Sequence, residues 1–167
     1  MTTRDNLTIT RAGRERLDDV APLWMALHRH HVTIDPRRLT PRPDSDSWAA
    51  RRAEYDKWID ENDGFFLLAE IDGRPVGYAM VSIGRQPPQM WDTDPPAVLQ
   101  TLSVLPAYRD KGIGSALMKA VHAELRRLGV EQMVIGVLAA NERAMKLYQR
   151  YGYRPALHML WGRVPPD

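Results

Sequence analysis

The feature that most constrains this 167-residue chain is a pair of glycines between two different apolar patterns. The run AVLQTLSVL (97–105) is typical of a strand, and an amphipathic pattern over 116–128 is typical of a helix. Gly112 and Gly114 lie between them and leave the backbone free of side chains. A turn of this kind lets backbone N–H groups and the positive end of the helix face an anion. The segment therefore predicts a phosphate or pyrophosphate site.

Arg109 and Lys111 add positive charge beside this turn. The turn matches neither of two common phosphate motifs, because it lacks both GxxxxGK[ST] and a GxGxxG that directly follows a first strand. From the residues alone, a tight structural turn explains the glycines as well as an anion site does.

Hydrophobic spacing along the rest of the chain predicts the order β-α-α-β-β-β-α-β-α-β. Asp72-Gly73 between two apolar runs predicts a β-hairpin. We therefore expect an α/β (α+β) fold, with a mixed central sheet flanked by helices in a single domain of residues 1–167. The strands are expected at 7–13, 65–71, 76–83, 97–105, 130–138 and 154–164, and the helices at about 17–31, 46–61, 116–128 and 141–151.

Composition narrows the classes of function. The chain is 44% hydrophobic and 26% charged, which is typical of a globular protein. It has no cysteine, so a thiolate nucleophile or thiolate metal site is excluded. The net charge of +2 is dispersed without a Lys/Arg block, and no apolar run is long enough to span a bilayer. We expect a cytoplasmic protein that binds neither nucleic acid nor membrane.

Two sequence blocks resemble signatures of the GNAT superfamily of N-acetyltransferases. The first is Val104-x-Pro106-x-x-Arg109-x-x-Gly112-Ile113-Gly114-x-x-Leu117, which is similar to the acyl-CoA-binding pattern V-x-P-x-x-[RQ]-x-x-G-[IL]-[GA]. The second is Asn141-x-x-Ala144-x-x-Leu147-Tyr148-x-x-x-Gly152-Tyr153, which resembles N-x-x-A-x-x-[LF]-Y-x-x-x-G-[FY]. The resemblance covers roughly residues 7–164, and its motifs define a core of about 97–153.

The resemblance implies acetyl-CoA as a co-substrate, with no metal. In the family, the strand before the glycine turn splays from its parallel neighbour, often at a β-bulge, and admits the pantetheine arm. Asn141 has two open roles, a helix cap and a pantetheine contact. The cofactor-binding residues implied by the resemblance are Leu102, Ser103 and Val104 on the strand, Arg109, Asp110, Lys111, Gly112, Ile113 and Gly114 in the turn, and Asn141.

Tyr148 is the catalytic residue that the resemblance implies. The family's tyrosine at this place can protonate the thiolate that leaves when an amine attacks the thioester. A phenol with a pKa near 10 stays protonated at neutral pH and suits that role. The residues alone favour a core aromatic on an amphipathic helix instead. A strand N–H near Leu102 or Ser103 is expected to stabilise the oxyanion.

The base that deprotonates the amine is not assigned by the sequence. The strand stretch Val98-Leu99-Gln100-Thr101 carries no carboxylate, and Gly136 stands where some relatives carry glutamate. Candidates for a base or a water relay are Gln100, Thr101, Asp92, Asp94, His28, His30 and His31. Candidates for the acceptor pocket are Met90, Trp91, Trp48, Tyr55 and Trp58, although the two helical tryptophans are expected to pack in the core.

We therefore expect an enzyme that uses acetyl-CoA to acetylate a primary amine of a small molecule or peptide by direct attack. The alternatives are a non-catalytic acyl-CoA sensor or interaction module, and a nucleotide-phosphate binder unrelated to CoA. The alternation of Leu157, Met159 and Trp161 also permits a homodimer through an edge strand near the C-terminus.

Overall fold

A computed structural model describes residues 6–61, 63–84, 86, 88–90 and 92–164. One five-stranded sheet has the spatial order β1-β2-β3-β4-β5, with β4 and β5 parallel and the other neighbours antiparallel. A 3₁₀ helix over Arg14–Val20 follows the first strand. The strands are β1 Leu7–Ala12, β2 Phe65–Ile71, β3 Arg74–Ile83, β4 Ala97–Val104 and β5 Met133–Ile135, and the helices are α1 Ala21–Ile34, α2 Asp44–Glu61, α3 Ile113–Arg127 and α4 Glu142–Arg150.

The two faces of the sheet bury two separate apolar clusters. Alternate residues of β2 and β3 point to opposite faces, so Phe66 and Phe65 belong to different clusters. The first cluster lies against α3 and α4, and the second lies against α1, α2 and the 3₁₀ helix. The mixed sheet with helices on both faces confirms the predicted fold class.

The predicted hairpin forms between β2 and β3. Both Asp72 and Gly73 have positive φ, at 50° and 72°. That combination is the one a two-residue type I′ turn requires, which explains the Asp-Gly pair.

The central strand β4 carries an irregularity at Gln100. Met80 of β3 pairs with Thr101, and the next β3 residue, Val81, pairs with Leu99, so Gln100 is an extra residue in β4. This is the arrangement of a β-bulge. The pairing of β4 with β5 ends at Leu99 with Ile135, so residues 100–104 have no partner strand on that side among the described residues. The expected splay of the two parallel strands is therefore present.

The final strand predicted at 154–164 is wrong. This segment is described throughout and contains no strand, and its apolar side chains are exposed. A strand needs a neighbour for its backbone hydrogen bonds, and alternation alone does not supply one. Strand β5 is likewise shorter than the predicted 130–138, and the predicted helix at 17–31 is a 3₁₀ turn followed by α1.

Candidate active site

The turn before α3 presents unused backbone donors. Gly112 is the N-cap of α3 with φ 84° and ψ 1°, a left-handed conformation that favours glycine, and no described side chain caps the helix. The hydrogen bond from the Ala116 N–H to the Gly112 carbonyl, at 2.9 Å, begins the helical series. The N–H groups of Ile113, Gly114 and Ser115 precede that series and have no carbonyl partner within the helix. Free N–H groups at a helix N-terminus favour an anion, so the predicted anion site at this turn stays a prediction.

Arginine side chains surround this turn. The Nε of Arg109 donates to the Val104 carbonyl at 3.0 Å, which fixes the guanidinium at the end of β4. Burial, and then the nearby Arg143, lower the pKa of Arg109. Arg143 also makes two contacts of 2.9 and 3.0 Å with the carboxylate of Asp110, which has a positive φ of 61°. This ion pair ties the first turn of α4 to the glycine turn.

The strand residues predicted to bind the cofactor lie along the open edge of β4. The hydroxyl of Ser103 donates to the Leu23 carbonyl of α1 at 3.2 Å, so its side chain faces the α1 side. Leu102 and Val104 instead pack against the α3 cluster. On the side away from β3, the backbone of this segment lies beyond the last β4–β5 pair, Leu99 with Ile135. A Cβ added to Gly136, just after β5, would meet nothing within 4 Å.

Helix α4 meets α3 and β4 next to the glycine turn. A Cβ at Gly114 would lie 3.4 Å from Leu147 Cδ2 and 3.9 Å from Leu102 Cδ2. The start of α4 is capped by Asn141, whose Oδ1 accepts from the Ala144 N–H at 3.2 Å. The predicted capping role of Asn141 is confirmed, and its contact with pantetheine stays a prediction.

Tyr148 is buried in the cluster shared by α3 and α4, with 7% of its surface exposed. Burial raises the pKa of its phenol to about 12. No described side chain or carbonyl hydrogen-bonds its hydroxyl, whereas the neighbouring Tyr151 hydroxyl donates to the Ser115 carbonyl at 2.8 Å. The hydroxyl of Tyr148 is therefore protonated at neutral pH, and it makes no hydrogen bond within the described part of the chain.

A buried hydroxyl cluster on the other face of β4 was not predicted. The Tyr55 hydroxyl of α2 lies 2.6 Å from Thr101 Oγ1 and 2.9 Å from the Tyr78 hydroxyl. At the bulge itself, Gln100 Nε2 donates to Ser82 Oγ at 2.9 Å. These side chains come from three separate elements, so no spacing within one element could have predicted that they meet.

The other candidates for base and acceptor contacts are dispersed. His28 lies 3.0 Å from Asp44, and burial lowers the pKa of His31 to about 4, so His31 is neutral at pH 7. Burial, followed by the positive charges of Arg109 and Arg143, lowers the pKa of His30. Trp48 and Trp58 pack on the α1–α2 cluster as expected, Met90, Asp92 and Asp94 are exposed, and Trp91 lies outside the described residues.

Two further features of the described residues bear on the class of site. No three His, Asp or Glu side chains come together in a way that could hold a metal ion in this part of the chain. None of the helices seen there combines the length and apolar character needed to cross a membrane.

Comparison with known proteins assigns the chain to the same family that the two sequence blocks at 104–117 and 141–153 resemble. The model of the Acetyltransferase (GNAT) family matches residues 24–153. An uncharacterised N-acetyltransferase of Mycobacterium tuberculosis is 31% identical over 121 residues, covering 72% of this chain and 70% of the relative. Mycothiol acetyltransferase of Geodermatophilus obscurus is 35% identical over 139 residues, covering 80% of this chain. The chain spans only 43% of that relative, and 40% of the mycothiol acetyltransferase of Saccharomonospora viridis.

Solved structures share the fold at low sequence identity. A protein from Bacillus halodurans superposes with a TM-score of 0.78 at 18% identity, covering 94% of this chain and 99% of that one. AAC(6′)-Iy in complex with the bisubstrate analogue CoA-S-monomethyl-acetylneamine has a TM-score of 0.67 at 21% identity, covering 96% of this chain and 99% of its own.

Proposed function

The chain belongs to the acetyltransferase (GNAT) family, and from that membership we propose that it transfers an acetyl group from acetyl-CoA to a primary amine. The observation that carries the proposal is that two features follow one another along the chain. The open edge of β4 runs over residues 100–104, and the uncapped N-terminus of α3 follows at its end. In this proposal, residues 1–167 form one N-acetyltransferase domain.

The two parts of acetyl-CoA fit these two features. Its pyrophosphate suits the N–H groups that begin with Ile113, together with the charges of Arg109 and Lys111. Its pantetheine arm carries amides, which pair with strand backbone that lacks a neighbour. We assign Leu102, Ser103 and Val104 to the arm. Residues 109–114 are assigned to the pyrophosphate. Asn141 is assigned to the side of the pantetheine arm opposite these strand residues.

The reaction is direct attack of the amine on the acetyl carbonyl. The amine nitrogen forms the new C–N bond, the C–S bond breaks, and the CoA thiolate leaves. Tyr148 donates its proton to that thiolate, and its raised pKa keeps the proton available at physiological pH. A backbone N–H near Leu102 stabilises the oxyanion, since the bulge at Gln100 turns this part of β4 away from its regular pairing.

The amine must lose a proton, and β4 has no carboxylate to accept it. Polar groups lie at the bulge instead, where Gln100 is hydrogen-bonded to Ser82 and Thr101 is hydrogen-bonded to Tyr55. We propose that Gln100 and Thr101 order a water that carries the proton to solvent. Neutral His31, with its low pKa, is a weak base and is not assigned this role.

The acceptor is a primary amine of a small molecule or peptide. The named relatives include mycothiol acetyltransferases and a neighbour crystallised with an acetylneamine analogue, so aminosugar amines head the set to be tested. The absence of a carboxylate on β4 also favours a second candidate function, an acyl-CoA sensor without turnover.

Release of free CoA thiol from acetyl-CoA tests the proposal across aminosugars, polyamines, amino acids and peptides. The protein contains no cysteine, so a thiol reagent reads CoA alone. Isothermal titration with CoA and with ATP separates the alternatives. Amine-dependent thiol release supports the transferase, and CoA binding without release for any amine supports the sensor. Preference for ATP over CoA would refute the assignment of residues 109–114.

A further inference from the structure

The β-bulge of β4 is held by side chains as well as by the strand ladder. A bulge disrupts the ladder locally and leaves one residue unpaired, so the ladder alone does not fix the backbone there. Here the extra residue, Gln100, donates from Nε2 to Ser82 Oγ of β3 at 2.9 Å. The hydroxyl of the next residue, Thr101, lies 2.6 Å from that of Tyr55 on α2. Both side chains at the bulge are therefore tied to neighbouring elements.

The hydroxyl of Tyr55 has a well-defined position. Tyr55 is completely buried, and its ring centre lies 6.2, 5.7 and 6.2 Å from those of Trp48, Trp58 and Tyr78. A tyrosine side chain has only two χ angles, so packing against three other rings leaves its hydroxyl little freedom. Burial also raises the pKa of the Tyr55 phenol to about 12, so it keeps its proton at neutral pH. Tyr55 therefore offers β4 a constant hydrogen-bonding group at a fixed place.

Stability alone does not explain the hydroxyl cluster of Tyr55, Tyr78 and Thr101. All three residues are at most 5% exposed, and the two tyrosines belong to the apolar cluster under α1 and α2. A buried hydroxyl exchanges hydrogen bonds with water for bonds within the protein, so its net stabilisation is modest, and apolar side chains of the same shape can be as stable. A hydrogen bond differs from an apolar contact in fixing both a distance and an angle. The cluster is therefore suited to holding the bulge in one geometry.

The bulge lies where β4 departs from β5, next to the N–H assigned to the oxyanion. The last pair of β4 with β5 is Leu99 with Ile135, and Gln100 follows directly. The Leu102 N–H belongs to the planar peptide group that joins Thr101 to Leu102, so a rotation at Thr101 turns this N–H. A displacement of about 1 Å at a reacting centre can cost about 10²-fold in rate. The geometry of Thr101 therefore controls a donor that the reaction needs.

We infer, on the basis of the proposed function, that Tyr55 is a positioning residue for acetyl transfer. Its hydroxyl holds Thr101 and so fixes the bulge, which aims the Leu102 N–H at the acetyl carbonyl. Tyr55 is 0% exposed and acts through Thr101 rather than on a substrate. The Tyr78 hydroxyl lies 2.9 Å from that of Tyr55, one hydrogen bond further from the bulge. Helix α2 thus sets the geometry of a strand that is distant in the sequence.

Steady-state kinetics with an accepted amine test the effect on rate. Tyr55→Phe removes the hydroxyl that holds Thr101, and Tyr78→Phe is the matched control, since it removes a hydroxyl of the same cluster and leaves the Tyr55–Thr101 contact in place. Tyr55→Phe should lower kcat about tenfold or more, because the oxyanion donor is misaligned. Its affinity for acetyl-CoA should stay unchanged in titration calorimetry, and Tyr78→Phe should keep a kcat close to that of the wild type. Equal kcat losses in both variants, or none in Tyr55→Phe, would overturn the inference.

A double-mutant cycle shows whether Tyr55 acts through Thr101. Thr101→Val keeps the shape of the side chain and lacks the hydroxyl. If one hydrogen bond carries the effect, adding Tyr55→Phe to Thr101→Val lowers kcat no further. Losses that multiply would contradict the inference. Circular dichroism at the assay temperature gives the folded fraction of each variant, so that unfolding is not counted as a loss of kcat.

Backbone amide NMR of the protein without substrates tests the position of the bulge independently of turnover. The amide shifts of residues 100–102 should change in Tyr55→Phe and in Thr101→Val, and much less in Tyr78→Phe. Unchanged shifts at these residues in Tyr55→Phe would overturn the inference even if kcat falls. A wild type that acetylates no amine refutes the proposed function instead, and the amide shifts then decide alone whether Tyr55 fixes the bulge.

Discussion

Replacing Tyr148 with phenylalanine separates a catalytic hydroxyl from a structural one. The Tyr148 hydroxyl has no hydrogen-bond partner among the described residues, and its ring is buried. The variant therefore keeps the packing of the ring and leaves no buried group unpaired, so its free energy of unfolding at pH 7 should match the wild type within about 0.5 kcal/mol. The rate constant kcat should fall about 10²-fold or more, because the leaving thiolate loses its acid.

At alkaline pH, the same substitution should make the protein more stable than the wild type. Burial raises the pKa of Tyr148 from 10.0 to about 12, so the phenol is protonated in both the folded and unfolded chains below pH 10. Between pH 10 and 12 the unfolded chain loses this proton first, and the wild type loses about 2–3 kcal/mol of stability. The variant has no such group. Urea denaturation at pH 7 and near pH 11 should therefore show it becoming relatively more stable at high pH.

Tyr151→Phe is the matched control on the same helix. It removes a hydroxyl that donates to the Ser115 carbonyl at 2.8 Å, so about 1 kcal/mol of stability should be lost while kcat changes little. The catalytic assignment is refuted if Tyr148→Phe retains wild-type kcat with an accepted amine. A loss of more than 1 kcal/mol at pH 7 would instead show that the Tyr148 hydroxyl is bonded within the fold.

Four further substitutions test the site. Gly112→Ala forces a side chain into φ 84°, at a cost of about 1–2 kcal/mol, and should weaken acetyl-CoA binding in titration calorimetry. Gly114→Ala, whose Cβ makes only ordinary contacts, should bind nearly normally, and equal binding by both variants would contradict the assigned turn. Asn141→Ala should lower the thermal midpoint by removing a cap worth about 1 kcal/mol, and no change would contradict that role. Tyr55→Phe leaves two buried hydroxyls short of a partner and should cost about 1–3 kcal/mol in urea denaturation, whereas a neutral effect would show that water replaces it.

Local chemistry was enough to predict several elements. Asp72-Gly73 fixes a hairpin because both residues tolerate positive φ, and Asn141 caps α4 because its short side chain reaches the first turn. The strand, glycine turn and helix around Gly112 are likewise set by residues adjacent in the chain. The family resemblance in the same segment added the nature of the ligand, which turn geometry alone left open.

Contacts between residues far apart in the chain decided the strand pairing and the side-chain clusters that the sequence did not predict. The extra residue at Gln100 depends on how β4 pairs with β3, and the hydroxyl cluster at Thr101 brings together side chains from α2, β3 and β4. The predicted last strand failed for the same reason, since alternation at 157–161 specifies a strand only when a neighbouring edge is within reach. Sequence alone thus determined the turns, caps and amphipathic faces, whose physics is local. Only the tertiary structure decided which strand edges are paired and which are open, because strand pairing depends on residues far apart in the chain.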